Sequence, residues 1–477
     1  MARLAPEFAG GSVIDLLESV LPDGDFIELR YHDRRARSVA VEDGHVEAAR
    51  ASRHTGVGVR ALVDGAWGFA STSIVTRAGL ERAIGAARNA ARAAARTRKT
   101  KVKALTPVRF QNGTFSTDAK DPLANHPFDE KIALAVRIEA MTRGLSSRIR
   151  SASSSYAELI DEKWIVTSDG ARVHLTDTKP EFRVSAVAAM EGELMTSFEA
   201  EGKTGGFGDL FAHRTPEEMA ERAAKTATDL LRAGYVVGGR KKCILSPGVV
   251  GLLVHEAIGH TVEADFVLQG SAAAGKIGKR VASDLITLAD SGRSEFEPGA
   301  GGVVLVDDEG VPTARTVIIE NGILKSYLHN RETAAMFGVE PTGNARAFEY
   351  DNEPLIRMRN TYIEPGRDTL DEMIASTDDG YLLASAQNGQ ADANAEFMFV
   401  VGEVYPIKNG KLGPLHRGTT ITGDAFEVLE SVDKVGDQFM WDLGSGYCGK
   451  GQRAKVDAGG PHIRCMLTLA GKEGTDA

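Results

Sequence analysis

Little in this sequence is suited to a membrane, an oxidising compartment or a nucleic acid. Its apolar run Val249–Val254 is far too short to cross a bilayer, and Met1–Glu7 lacks the apolar core of a signal peptide. Cysteine is scarce: Cys243, Cys448 and Cys465 stand at irregular spacing, which gives no disulfide framework and suits a reducing compartment. Basic residues do not dominate. Lys and Arg number 56 against 66 Asp and Glu, a net charge of −10 with no long basic tract, so a grip on nucleic-acid phosphates is not expected. No short-period repeat is visible, and the sequon Asn112-Gly113-Thr114 has no meaning without secretion. The expectation is a cytoplasmic protein that binds neither membrane nor nucleic acid.

What is present reads as α+β in two domains, 1–235 and 236–477, with the tract Gly238-Gly239-Arg240-Lys241-Lys242 as boundary. In the first, Phe26–Tyr31, Ser38–Val41, Gly56–Leu62 and Trp67–Ala70 read as short strands. Helices are expected over Arg77–Arg96, Phe128–Thr142 and Pro216–Arg232, the last opened by a Thr215/Glu218 capping box. Residues 147–200 read as a β-meander with turns at Ser168-Asp169-Gly170 and Glu191-Gly192. The second domain is mostly antiparallel β, with strands such as Gly302–Val306, Ala314–Ile319 and Phe397–Val404. Asp307-Asp308-Glu309-Gly310 reads as a solvated hairpin turn, with a calcium loop as the lesser alternative. Gly270–Ile277 resembles a phosphate loop, but it lacks the Ser/Thr for magnesium and follows a helix; a mobile loop over the site and an ordinary surface loop are the readings left.

The chemistry concentrates in Val254-His255-Glu256-Ala257-Ile258-Gly259-His260. Two neutral imidazoles and one carboxylate are what a zinc hydrolase needs: nitrogens for the metal, an acid to take a proton from the activated water. The histidines lie five apart, and five residues of regular α-helix rotate by roughly 140°, too far for both rings to meet one ion. A one-residue π-bulge at Ile258-Gly259 would restore a common face. Ser246 and Pro247 open the helix, and Val249, Val250, Leu252, Leu253 and Val254 make it apolar all round, hence buried. Glu263 and Asp265 follow, able to orient a ligand imidazole. A catalytic zinc takes three protein ligands, so one is still missing, and the other histidines, the acids and the three cysteines are the candidates. Cys448 stands out on a glycine-dense loop, whereas Cys243 and Cys465 sit in strands as small hydrophobes. The oxyanion stabiliser is not readable; Tyr447, His462 and His329 are the candidates.

These residues resemble the TldD/PmbA family of metallopeptidases, on the side of its catalytic TldD subunit. The likeness includes Gly278–Ser283, Val306–Thr313, Glu320–Leu324, Gly338–Asn344, Asn360-Thr361-Tyr362 and Cys448-Gly449-Lys450-Gly451-Gln452, and it covers nearly the whole chain. It departs at Ala393-Asn394-Ala395-Glu396, which bears on substrate preference. The resemblance implies His255, His260 and Cys448 as ligands of one zinc per catalytic subunit, and Glu256 as general base. It implies hydrolysis of small or unfolded peptides in a heterodimer with a TldE/PmbA-like subunit that lacks the His-Glu pair; a homodimer is the other assembly. Two further functions stay open: maturation of a peptide-derived or modified-amino-acid natural product, and a non-catalytic regulatory partner stabilised by zinc.

Overall fold

The computed structural model describes residues 12–392 and 394–471. The segment Met1–Glu7 and residue Ala393, both weighed above, lie outside the described residues. Three long strands, β1 (Phe26–Glu42), β2 (His45–Val63) and β3 (Ala66–Thr72), are followed by helix α1 (Arg77–Ala95). Then come β4 (Gly113–Ser116), α2 (Phe128–Gly144), β5 (Ile149–Thr167), β6 (Arg172–Met190), β7 (Glu193–Gly202) and α3 (Pro216–Leu230). The strands form one seven-stranded sheet in the order β3-β2-β1-β5-β6-β4, with β7 also on β6. All its pairings are antiparallel except β4 with β6.

The segments 26–31 and 38–41 are one strand rather than two. The polar stretch between them stays extended because its charges are matched across strands: Asp33 takes Arg53 at 2.8 Å and Arg34 takes Asp161 at 2.6 Å. The helices follow the apolar periodicity. Thr76 caps α1, whose Leu80, Ile84, Ala87 and Ala91 are buried; Thr215 and Glu218 form the capping box of α3. The meander turns fall at Ser168–Gly170 and Glu191-Gly192.

The C-terminal half is built on strand β8 (Gly239–Leu245). It pairs parallel with Asp379–Leu383 and antiparallel with Ile463–Leu469. The path continues through His416–Asp424 and Glu396–Lys408. Glu396–Lys408 pairs back onto Asp379–Leu383, closing a ring of five strands that leaves Ala386–Ala391 as an edge. A second, six-stranded sheet packs nearby, running from Ile323–Leu324 through Thr316–Glu320, Leu288–Ser291, Asn360–Ile363 and Asp457–Gly460 to Met440–Trp441. The largest apolar core gathers around the helix after β8 and includes Val250, Val254, Ala257, Ile258 and Phe399. Gly302–Val306 is not a strand; Val306 makes only an isolated bridge to Pro312. Among the described residues no helix is long and apolar enough to cross a membrane.

The Asp307–Glu309 turn is not solvated. Asp307, Asp308 and Glu309 are buried because this turn presses against the N-terminal sheet. Asp308 takes Lys163 at 2.9 Å, and Glu309 takes Arg60 at 2.5 Å. The Gly270–Ile277 loop is tied down, with Ser271 Oγ donating to the Thr261 carbonyl at 2.6 Å and Tyr327 donating to the Ala273 carbonyl at 2.8 Å.

Candidate metal centre

Pro247 opens helix α4 (Pro247–Leu252) at a position where its missing N–H costs nothing. Ser246 does not cap it; its hydroxyl donates to the Ala384 carbonyl at 2.9 Å. From Leu253 to Gly259 the helix widens into a π turn, followed by a 3₁₀ turn over His260–Val262. The expected bulge is therefore a seven-residue π segment rather than one inserted residue. The i-to-i+5 bonding of such a turn brings residues five apart towards a common side, which is what His255 and His260 require. Their ring centroids are 5.5 Å apart. A side chain cannot replace Gly259 here without movement, since its Cβ would fall 1.9 Å from the Met358 sulfur.

The thiol comes from the other end of the chain. Cys448 lies on β9 (Tyr447–Gly449), paired antiparallel with β10 (Arg453–Lys455). Buried Arg357 clamps this hairpin, its two Nη atoms donating to the carbonyls of Gln452 and Cys448 at 2.9 and 2.8 Å. Cys448 Sγ stands 3.1 Å from His260 Nε2. The ligand atoms of His255, His260 and Cys448 all lie within 4.8 Å of one another. Both ring nitrogens of His255 are buried and meet no hydrogen-bond partner. An imidazole left bare in the interior is costly unless something accepts its lone pair. Two imidazoles and a thiolate are a donor set that suits zinc, so the residues present fit the metal.

Charge and hydrogen bonding tune the trio. Burial pushes the Cys448 thiol up, but His255 and His260 outweigh it and hold the group at about 4, a thiolate at neutral pH. Burial pulls His260 down, yet hydrogen bonds with Cys448 and Glu263 raise it to about 10. His260 Nδ1 faces Glu263 Oε2 at 2.9 Å. Glu263 is completely buried; burial raises its carboxyl, and His260 with Lys450 more than reverses this. Lys450 Nζ donates to Glu263 at 3.1 Å and to Asp265 at 2.8 Å. Glu256 lies at the rim, its side chain 27% exposed and its carboxylate 3.9 Å from His260 Nε2.

Three of the suggested residues are not brought to this cluster. Tyr447 precedes Cys448 on a strand and so faces the other way, with Lys455 Nζ 4.5 Å from its ring centre. His462 sits beside Gly436, whose N–H donates to its carbonyl at 2.8 Å. His329 packs on Phe337 and pairs with Thr333 Oγ1 at 3.1 Å. Cys243 and Cys465 face each other across two strands as buried thiols. Sequence reasoning missed Lys450 and Arg357. The signal for Arg357 was a charge set between the apolar Ile356 and Met358; Lys450 stood two residues past the thiol. A second convergent group among the described residues, His54, Glu349 and Asp351, is partly exposed, and His54 is already paired with Glu349 at 3.0 Å.

Family profiles match three stretches of the chain. The one described as the PmbA/TldA metallopeptidase C-terminal domain covers residues 238–471, domain 1 covers 27–91, and the central domain covers 121–231. A metalloprotease of Methanocaldococcus jannaschii is 33% identical over 460 residues, 96% of this chain and 99% of its own length. The chain belongs to the PmbA/TldD metallopeptidase family. Other PmbA/TldD relatives are a metalloprotease TldD homolog of Haemophilus influenzae, 30% identical over 94% of this chain and 93% of its own, and a zinc metalloprotease TldD homolog of Saccharolobus solfataricus, 32% identical over 72% and 76%. Among solved structures, TldE from Thermococcus kodakarensis has the same fold, with a TM-score of 0.75 at 19% identity over 96% of this chain and 99% of its own. A putative modulator of DNA gyrase from Thermotoga maritima reaches 0.78 at 20% identity over 96% and 98%.

Proposed function

We propose that this chain is the catalytic subunit of a zinc-dependent peptidase acting on small or unfolded peptides. His255, His260 and Cys448 hold the metal, and Glu256 is the general base. The observation that carries the reading is the convergence of three ligand atoms within 4.8 Å around a buried His255 with two unpartnered nitrogens. When bound, zinc supplies a Lewis acid and brings the pKa of water towards neutrality. Glu256, on the exposed side of the π turn, accepts a proton from the attacking water and passes it to the leaving amine. Glu263 fixes the His260 ring through Nδ1, so that Nε2 is the nitrogen turned towards the thiolate. Lys450 offsets the buried charge of Glu263. The edge strand Ala386–Ala391, close to the π turn, offers backbone groups to an extended peptide with little demand on its sequence.

The same reading places the chain in the cytoplasm, split into units at residues 1–235 and 236–477, and pairs it with a TldE-like subunit whose fold it shares. A homodimer is the competing assembly, and mass measurement of the native complex separates the two. The decisive experiment on function compares the native protein with Glu256→Gln. The native protein should cleave unstructured peptides and stop when zinc is chelated; Glu256→Gln should keep its zinc and lose at least ~100-fold in rate. Near-native turnover by Glu256→Gln would remove the general base, and cleavage unaffected by chelator would remove the metal.

A further inference from the structure

Outside the metal centre, three further ligand-bearing side chains converge where the N-terminal sheet meets the C-terminal half. His54, Gly56 and Gly58 alternate along β2 and so point to one face. The two glycines let a loop of the other half lie directly on the strand. A Cβ at Gly56 would fall 2.6 Å from the Tyr350 ring, and one at Gly58 would strike the Tyr350 carbonyl. Buried Arg30 holds this loop, its Nη2 donating to the Asn352 carbonyl at 2.6 Å. The loop braces itself as well, the Glu349 N–H donating to Asn352 Oδ1 at 3.2 Å. The same packing sets His54 against Glu349 and Asp351, which flank Tyr350.

One ligand atom each of His54, Glu349 and Asp351 lies within 4.8 Å of the other two, as in the trio of His255, His260 and Cys448. Ligand atoms about 2.1 Å from a shared ion stand roughly 3–4 Å apart, so little movement closes this group on a cation. His54 Nδ1 and Glu349 Oε2 are 3.0 Å apart, close enough for an ion pair. Yet Nδ1 makes no hydrogen bond, and it is buried although the His54 side chain is 39% exposed. The nitrogen thus turns from water towards a carboxylate that it meets out of line for a shared proton, as two ligands of one ion would stand. Among the described residues neither Glu349 nor Asp351 is paired with a lysine or arginine. Two negative charges therefore flank the ring with no cation to balance them.

We propose that His54, Glu349 and Asp351 form a metal site of their own, which takes a divalent transition-metal ion such as zinc and clamps the N-terminal sheet to the loop supporting Cys448. The imidazole disfavours calcium and magnesium, which prefer oxygen alone, and the two carboxylates balance the charge of the ion. Water completes the coordination on the open side, where Glu349 is 32% exposed. The same loop holds Gln452 from two sides, the Phe348 N–H donating to its Oε1 at 2.7 Å and its Nε2 donating to the Glu353 carbonyl at 2.6 Å. Gln452 lies in the turn of the β9–β10 hairpin, so the ion ties β2 to the support of the thiol. This binding requires neither peptide cleavage nor a metal at His255, His260 and Cys448.

Calorimetric titration of zinc into the metal-free, full-length protein should show two classes of site in the native chain. His54→Ala and Asp351→Asn, both at positions open to solvent, should each weaken the looser class at least ~10-fold and leave the tighter class unchanged. Cys448→Ser should do the reverse. The proposal is overturned if either His54→Ala or Asp351→Asn binds zinc as the native chain does, or if calcium fills the looser class as tightly as zinc. A single class in the native chain, abolished by Cys448→Ser, overturns it too. A single class abolished by His54→Ala instead would keep this site and remove the metal from the peptidase reading, so the two failures are told apart.

Discussion

The sulfur of Cys448 and the carboxylate of Glu263 act on the same imidazole from opposite sides, and they should fail differently. Cys448 Sγ lies 3.1 Å from His260 Nε2 and is held as a thiolate. A serine hydroxyl in its place is neutral and a poor zinc ligand. Cys448→Ser should therefore fold, as judged by circular dichroism, but emerge from dialysis with little zinc; full occupancy would exclude the sulfur from the metal. Glu263→Gln keeps the shape and the contact to Nδ1 but removes the charge beside a completely buried position. Metal affinity should fall by about 10–100-fold, the usual cost of losing a partner behind a ligand histidine. Lys450 would keep Asp265, at 2.8 Å, as its counter-charge. Equal affinity in Glu263→Gln and the native protein would reduce Glu263 to packing.

At the scale of the element, the π turn Leu253–Gly259 converts an unworkable spacing into a site, and Gly259 permits it. A methyl there would fall 1.9 Å from Met358 Sδ, so Gly259→Ala must displace either the methionine or the turn. Overpacking of this kind costs about 1–3 kcal/mol, and displacement of the turn swings His260 away from Cys448. The expected result is a lower melting temperature together with weaker zinc binding. A melting shift with unchanged zinc affinity would mean that Met358 yields and the turn does not. The turn was legible in the sequence because five residues of α-helix cannot aim two rings at one point, although the spacing gave no measure of its length. The helices Arg77–Ala95 and Pro216–Leu230 were legible for a simpler reason, their caps and apolar stripes being local. What failed was non-local. The unbroken β1 was hidden by His32–Arg37, whose charges are matched by Arg53 on β2 and Asp161 on β5. Asp307–Glu309 looked solvated because its partners, Arg60 and Lys163, lie far back in the chain.

Across the whole molecule, that buried polar seam joins the N-terminal sheet to the half carrying His255, His260 and Cys448, and it makes stability depend on pH in a definite direction. His32 is 1% exposed, with Nε2 2.9 Å from Asp161 and Nδ1 without a partner. Burial, with only partial compensation from Asp161, holds it at about 4 against 6.5 for the free side chain. The folded state therefore keeps His32 neutral where the unfolded chain already binds a proton. Above pH 6.5 neither state carries a charge on His32, and this residue costs the fold nothing. As pH falls from 6.5 to 4 the unfolded state gains, and the contribution of His32 is a loss approaching about 3 kcal/mol. His329, also held at about 4 by burial, adds in the same sense. Buried Asp457, raised to about 6 by burial, opposes them, because between pH 3.8 and 6 it is the folded state that binds the extra proton. The net slope is thus shared, but the difference between the native protein and His32→Gln isolates one group. Gln can still donate to Asp161 and does not titrate. Urea unfolding at pH 7.5, 6 and 5 should show the variant losing less stability than the native protein on acidification. Parallel loss in both proteins would mean that His32 is protonated in the folded state, with Asp161 as its counter-ion after all.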